Sequence, residues 1–290
     1  MMRVLAIVIA LTAIARADTL TVGLYAPTAP FPSTSARVDL VSKLADELGK
    51  ATGATASGKV YARASDFASA VRTGEVTVAL VDATYLAAAG GNYTVIAGAD
   101  RGGEITHGWQ LVARGVDKIA ALRGKRVLVP AVGGRETDFV VDALFGGEID
   151  KSFFAKIEPA PDTASALAAL GLGKAEAAIV PDGVDLPSGT HVVLALPVMS
   201  GPLLVVYGNA NAKKAQIAAA AASFHGDAIV AGFKPADAEA VHAIARRFAP
   251  VVKRGPLAVP ALRVLVGDLV VGRTVTIERA PATAFVAAPK

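Results

Sequence analysis

The chain has no cysteine, one tryptophan and three methionines, and aromatic residues make up only 6% of its 290 residues. Without a thiol there are no disulfides, thiolate metal centres or cysteine nucleophiles, and no lipid-modified cysteine beside an export signal. Excess charge is small: 29 basic and 25 acidic residues leave a net +4, with the basic residues scattered in pairs such as Lys213-Lys214 and Arg246-Arg247. Lacking a basic stripe interleaved with aromatics, the chain is not expected to bind nucleic acid; its mild basicity favours an anionic ligand. Long apolar runs are also missing. The run over residues 4–11 is about half of the ~20 residues a membrane span needs, and no later stretch reaches that length.

That short run follows Arg3 and precedes Ala15-Arg16-Ala17 and the polar pair Asp18-Thr19. A positive start, a short apolar stretch and a small-x-small site are the layout of a secretory signal peptide, residues 1–17, cut after Ala17. A membrane anchor is the competing reading, and the length of the run opposes it. The mature protein is expected to be periplasmic or secreted and not membrane-spanning. About 270 residues remain, enough for two domains of about 100–150 each. A hydrophobic content of 53% points to a packed globular chain.

Strand and helix patterns alternate along the mature chain. Residues 20–25 read as a strand and 26–35, with three prolines, as a loop. A helix over 36–48 presents Val41, Leu44, Ala45 and Leu48 on one face, and Gly49 and Gly53 end it. Strand 59–63 follows, then a short helix capped by Asp66 and ending at Gly74, then a buried strand over 76–81. Strands are expected at 109–114, 126–129, 177–180, 192–196 and 203–207. Helices are expected at 137–145, at 163–172 with Thr163 as cap, at 212–224 and at 236–248. The alternation implies an α/β fold with largely parallel sheets.

One internal similarity stands out. Ala70-Val-Arg-Thr-Gly74-Glu-Val-Thr-Val-Ala-Leu-Val-Asp82-Ala83 can be laid on Ala169-Leu-Gly-Leu-Gly173-Lys-Ala-Glu-Ala-Ala-Ile-Val-Pro-Asp182. Each is a helix end, a glycine, a buried strand and an aspartate at or beside its end. Such a unit is a generic α/β connection, or it marks two lobes of like topology. In the second case, ligands of open α/β sheets sit beyond the carboxyl ends of the strands, and two such sheets facing each other make a cleft.

Five segments carry a resemblance: Leu20-Thr-Val-Gly-Leu-Tyr25; Ser65-Asp66-Phe67 with Ala70-Val-Arg-Thr-Gly-Glu-Val; Asp82-Ala-Thr-Tyr85; Ile119-Ala-Ala-Leu-Arg-Gly-Lys-Arg-Val127; and residues 164–180. In order and spacing, over about residues 20–210, they resemble the periplasmic substrate-binding proteins of ABC transporters, in particular the phosphate/phosphonate-binding group. The resemblance implies a type II fold, two Rossmann-like lobes joined by two crossovers near 99–107 and 199–204. Lobe 1 would be 18–103 plus 205–290, and lobe 2 would be 104–204. It also implies a monomer without cofactor or metal, a small-molecule ligand, and an ABC transporter permease as partner.

On that resemblance the ligand lies between strand ends of both lobes. The expected set is Tyr25, Asp66, Asp82, Thr84, Tyr85, Gly133, Gly134, Arg135, Glu136, Thr137, Asp162 and Asp182. Where phosphonate binders open the lobe 2 helix with Ser-Thr-Ser, this chain has Arg135-Glu136-Thr137, and the family's histidine before the next helix is replaced by Asp162. Arg135 offers a planar fork to an oxyanion, or is a solvated surface arginine. Glu136 repels an anion or caps the helix. A ligand bearing both an acid and an amine suits Arg135 with Asp162 or Asp182. Asp82 and Asp182 can equally be turn formers, and Tyr25 and Tyr85 can be core.

Signatures of chemistry are absent. Gly171-Leu-Gly173-Lys174 has no hydroxyl after the lysine and ends a helix, so it is not a phosphate loop. Ser200 lacks the glycine that a nucleophile elbow needs two residues before it. His107, His191, His225 and His242 show no metal-ligand spacing. A non-enzymatic binding protein is therefore expected. An enzyme on the same scaffold and an orphan sensory binding protein are the alternatives.

Overall fold

A computed structural model of the chain describes residues 19–249. The expected export segment 1–17, the stretch 250–290 assigned to the first lobe from sequence, and the strand expected at 274–278 lie outside the described residues. Strand β1 (Thr19–Tyr25) runs parallel to both β2 (Thr55–Val60) and β3 (Val78–Asp82). Past β3 the sheet continues antiparallel through β10 (Pro202–Val206), β4 (Thr94–Asp100) and β11 (Gly232–Lys234). Every residue of β3 and β10 is buried, which suits strands covered on both faces.

Helix α1 (Thr34–Thr52) covers one face. The Ser33 side chain accepts from the Ala36 N–H at 3.1 Å, and Gly53, in the left-handed region at φ 66°, closes the helix. Its buried stripe of Leu40, Leu44 and Leu48 meets Val22, Leu24, Val78 and Leu80, with Ile217 of α6 (Lys214–Ser223) beside them. Helix and sheet approach closely at Gly58, where a Cβ would stand 2.7 Å from the Val41 carbonyl.

The second sheet has the order β7 (Lys156–Ala160), β6 (Arg126–Pro130), β8 (Ala177–Pro181), β5 (Thr106–Arg114), β9 (Thr190–Ser200). β6 is parallel to β7 and β8, while β5 is antiparallel to β8 and β9. Helix α5 (Thr163–Gly171) packs Ala166, Leu167 and Leu170 on one face, against Val112, Leu128 and Val180. On the other face lie Phe139, Val140 and Leu144 of a six-residue π-helical turn, Phe139–Leu144, that continues the three-residue α4 (Glu136–Asp138).

The two sheets share one plan. β2-β1-β3-β10-β4 in the first corresponds to β7-β6-β8-β5-β9 in the second: two parallel neighbours flank the opening strand, then comes one antiparallel strand that has just arrived from the other sheet. β5 arrives after residues 101–105 and β10 after Gly201. The facing sides of both lobes share a continuous apolar core, which includes Val241, Ile244 and Phe248. Helix α7 (Glu239–Arg247) lies in it against α3 (Ala83–Ala89) of lobe 1 and against β9 and the π-helical turn of lobe 2.

Several expectations are corrected. Both sheets are mixed rather than largely parallel, because a strand entering directly from the other lobe runs against its neighbour without a crossover helix. β2 begins at Thr55, not 59; Ser57 and Gly58 are poor strand formers, and the fit of Gly58 under α1 sets the strand. Gly49 does not end α1 but is buried within it, where a Cβ would meet Ala56 at 2.9 Å. Residues 83–89 form α3, and β4, β7 and β11 had no counterpart in the sequence reading. Asp66 does not cap α2 (Ala64–Arg72): Arg63 holds that position, and Asp66 pairs with it at 2.8 Å. The cap of α5 is Asp162, whose side chain accepts from the Ser165 N–H at 2.7 Å, not Thr163.

Candidate interlobe binding site

The parallel strands of each sheet end at the face shared by the lobes, so the candidate site is built from the loops that follow them. In lobe 1, β3 ends on Asp82, which is 1% exposed. One of its oxygens accepts the Thr28 N–H at 2.7 Å, which pins the loop after β1; the other has no partner in the protein. Burial pushes the Asp82 carboxyl up from 3.8 to about 7, although the Thr28 hydrogen bonds and the Arg37 charge act the other way. Thr84 and Tyr25 are also buried, and their hydroxyls have no hydrogen-bond partner. Burial, and after it the neighbouring Asp82, Tyr85 and Glu136, raise the pKa of the Tyr25 hydroxyl. Both tyrosine rings are core: Tyr25 stacks on Phe67 at 5.5 Å and meets Tyr85 edge-on at 4.9 Å.

In lobe 2 the loop after β6 closes on itself. The N–H groups of Val132 and Gly134 both donate to Glu136, each at 3.0 Å, so Glu136 is buried as an internal cap. Gly133, at φ 91°, lies against the Tyr85 ring of lobe 1, where a Cβ would come within 2.9 Å of the ring. Only glycine permits both that backbone and that approach. Arg135 turns away. Its Nε and one terminal nitrogen donate to Asp138 at 3.2 Å, and its guanidinium sits 4.8 Å over the Phe248 ring. Lys151 also donates to Asp138, at 2.8 Å. Thr137 is half-buried on α4.

Two polar links join the loops of the two lobes at this face. Thr163 donates its N–H to the Pro27 carbonyl at 3.0 Å and its hydroxyl to the Thr28 carbonyl at 2.9 Å. Arg37 donates to Asp162 at 2.7 Å. Burial opposes ionisation of Asp162, but hydrogen bonds from Ser165 and the charge of Arg37 outweigh it and hold the carboxyl below its ordinary value. Beside this second link is a cavity of about 140 Å³, bordered by Tyr25, Pro27, Thr34, Arg37, Tyr61 and Asp162.

The fold thus gathers Tyr25, Asp82, Thr84, Tyr85, Gly133, Gly134, Glu136 and Asp162 along the shared face. Asp66 stands exposed at the start of α2. Asp182 is tied to the crossing segment, accepting from Gly108 at 3.1 Å and Arg101 at 3.4 Å. Sequence reading missed Thr28, Arg37 and Tyr61, and took Thr163 only as a cap. The available signal for Arg37 was a cation one turn into the first helix after a proline-rich loop. Among the described residues, no group of three or more His, Asp or Glu side chains could hold a metal ion, and no helix is long and apolar enough to cross a membrane.

No family model and no curated protein matches the sequence. Solved structures do. A protein of Xanthomonas citri bound to ATP aligns at 13% identity and TM-score 0.64, over 80% of this chain and 97% of that one. PhnD1 from Prochlorococcus marinus in complex with methylphosphonate aligns at 12% identity and TM-score 0.64, over 81% and 99%. A binding protein component of an ABC phosphonate transporter from Pseudomonas aeruginosa aligns at 12% identity and TM-score 0.63, over 79% and 85%. With the strand orders above, these likenesses show the fold: two α/β lobes of the type II periplasmic-binding-protein kind.

Proposed function

We propose that the chain is an exported solute-binding protein of an ABC-type uptake system. It closes its two lobes over a small polar ligand, anionic or zwitterionic and phosphonate- or phosphate-like in its acid group, and presents it as a monomer to a permease. One observation carries this reading. Tyr25, Arg37, Asp82 and Thr84 each have a buried polar atom without a protein partner, and all four stand at strand ends or helix starts of lobe 1. A buried group left unsatisfied costs about 1–3 kcal/mol, so a ligand that hydrogen-bonds to such a cluster stabilises the closed form. The like-folded proteins with ATP, with methylphosphonate and from a phosphonate transporter support an acidic ligand.

Asp82 and Glu136 flank Tyr25 and suit the amine of a zwitterion. Tyr25, Thr84 and Tyr85 orient it, and Gly133 and Gly134 let lobe 2 close. In this reading the site binds its ligand without covalent chemistry. The test is a thermal-shift and X-ray scattering screen of phosphonates, phosphate, amino acids, organic acids, choline and a neutral sugar. A true ligand at 100 times its Kd adds about 2.7 kcal/mol of stability and holds the compact form. A screen in which no solute does either refutes the reading.

A further inference from the structure

The acid group of such a ligand needs a cation or a set of free N–H groups, and at the expected place, the start of the lobe 2 helix, the arginine is paired and two loop amides are already used. The loop amides of Val132 and Gly134 already donate to the Glu136 carboxylate, which an incoming anion would have to face or displace. Helix α4 has only three residues before the backbone widens into the π-helical turn, and the buried Glu136 carboxylate occupies its first position. The Arg135 fork is engaged by Asp138 and lies on Phe248.

Lobe 1 offers what lobe 2 has used up. Helix α1 is 19 residues long, and Thr34 in its first turn borders the cavity of about 140 Å³. That volume is well above the ~10–15 Å³ one water needs and accommodates a small oxyanion. Arg37, one turn further along, is held from outside: Asp162 takes one terminal nitrogen at 2.7 Å, and the Phe31 ring lies 5.5 Å from the guanidinium carbon. Its Nε is buried and has no partner. Tyr61, only 7% exposed, completes the wall, its hydroxyl lying beside the Lys59–Glu75 pair.

We infer that the oxyanion end of the ligand is anchored on lobe 1, in the cavity at Arg37 and the start of α1, with Asp162 of lobe 2 orienting the guanidinium. This rests on the binding-protein reading and deepens it. Because Asp162 already balances part of the Arg37 charge, the site suits a monoanionic group, a phosphonate or a carboxylate, better than a dianion. The same ion pair makes anchor and latch one device: the arginine that holds the acid group also ties lobe 1 to lobe 2.

Calorimetric titration of methylphosphonate, inorganic phosphate and acetate into the mature protein tests the inference, with melting curves confirming that each variant is folded. Whichever anion binds the wild type should lose about 10- to 100-fold in affinity in Arg37→Gln, the scale of a charged hydrogen bond. Arg135→Ala should stay within about twofold of the wild type. Asp162→Asn separates anchor from latch: asparagine still caps α5 and still accepts from the guanidinium through its amide oxygen, but no longer neutralises it, so the anion should bind at least as tightly. Unchanged affinity in Arg37→Gln overturns the inference, and so does an equal loss in Arg37→Gln and Asp162→Asn, which would leave Arg37 a latch only. If no anion binds but choline or a neutral sugar compacts the protein in scattering, the anchor falls and the binding reading stands. If no solute of either kind binds, both fall.

Discussion

The two lobes repeat one strand order and treat the loop after the opening strand in opposite ways. In lobe 1 the loop is pinned from outside, by Asp82 through the Thr28 N–H and by Thr163 through two carbonyls, and a long helix follows with a cation one turn in. In lobe 2 the loop is satisfied from within by Glu136, and the helix is three residues and a π-helical turn. Lobe 1 therefore keeps unpartnered polar atoms at the cleft, while lobe 2 offers glycines and a filled cap. A helix start binds anions only while its N–H groups are free. In lobe 2 one carboxylate, two residues beyond Gly134, takes the two loop amides of Val132 and Gly134.

The largest expected effect tests whether lobe 2 is the rigid partner. Phe139 is fully buried between Trp109, at 5.0 Å, and Phe248, at 5.8 Å, and it fastens the π-helical turn to the sheet and to the chain end of α7. Phe139→Ala should cost about 3–5 kcal/mol in urea unfolding. A loss under about 1 kcal/mol would mean that the turn is loosely held and the contrast between the lobes is wrong.

Asp82 carries the next effect, from lobe 1. Its folded carboxyl titrates near 7 and its unfolded one near 4, so the folded state holds the proton more tightly. The resulting stabilisation is complete below about pH 4 and is lost as pH rises to 7, at up to about 1.4 kcal/mol per pH unit. Melting temperature against pH should show that fall in the wild type and a flatter line in Asp82→Asn. Parallel curves would show that Asp82 is not desolvated as described.

The smallest effect belongs to Glu136. Glu136→Ala should cost about 1–3 kcal/mol for two amides left unsatisfied. It should also raise affinity for methylphosphonate or phosphate by freeing those amides, making lobe 2 more like an anion-binding lobe. A variant that loses stability without gaining anion affinity would show that the amides alone do not make lobe 2 an anion site.

Periodicity in the sequence was enough for the α/β class, most strands and the amphipathic helices, because burial of one face leaves a mark every two or three to four residues. Thus 20–25, 109–114, 126–129 and the stripe of Leu44 and Leu48 could be read directly. Periodicity could not show the direction of β5 and β10, because an antiparallel strand buried on both faces reads like a parallel one. It also missed β4, β7 and β11, and α3, whose alanines carry little pattern. At the site, the residue types at the strand ends of Tyr25, Asp82, Thr84 and Gly133 were visible in sequence. Tertiary structure alone decided what each carboxylate and guanidinium touches. Glu136 folds onto its own loop, Arg135 turns to Asp138 and Phe248, and Arg37 meets Asp162 from 125 positions away. Charge pairing depends on distances of about 3 Å between side chains brought together only when both sheets are in place, and no periodicity along the chain encodes them.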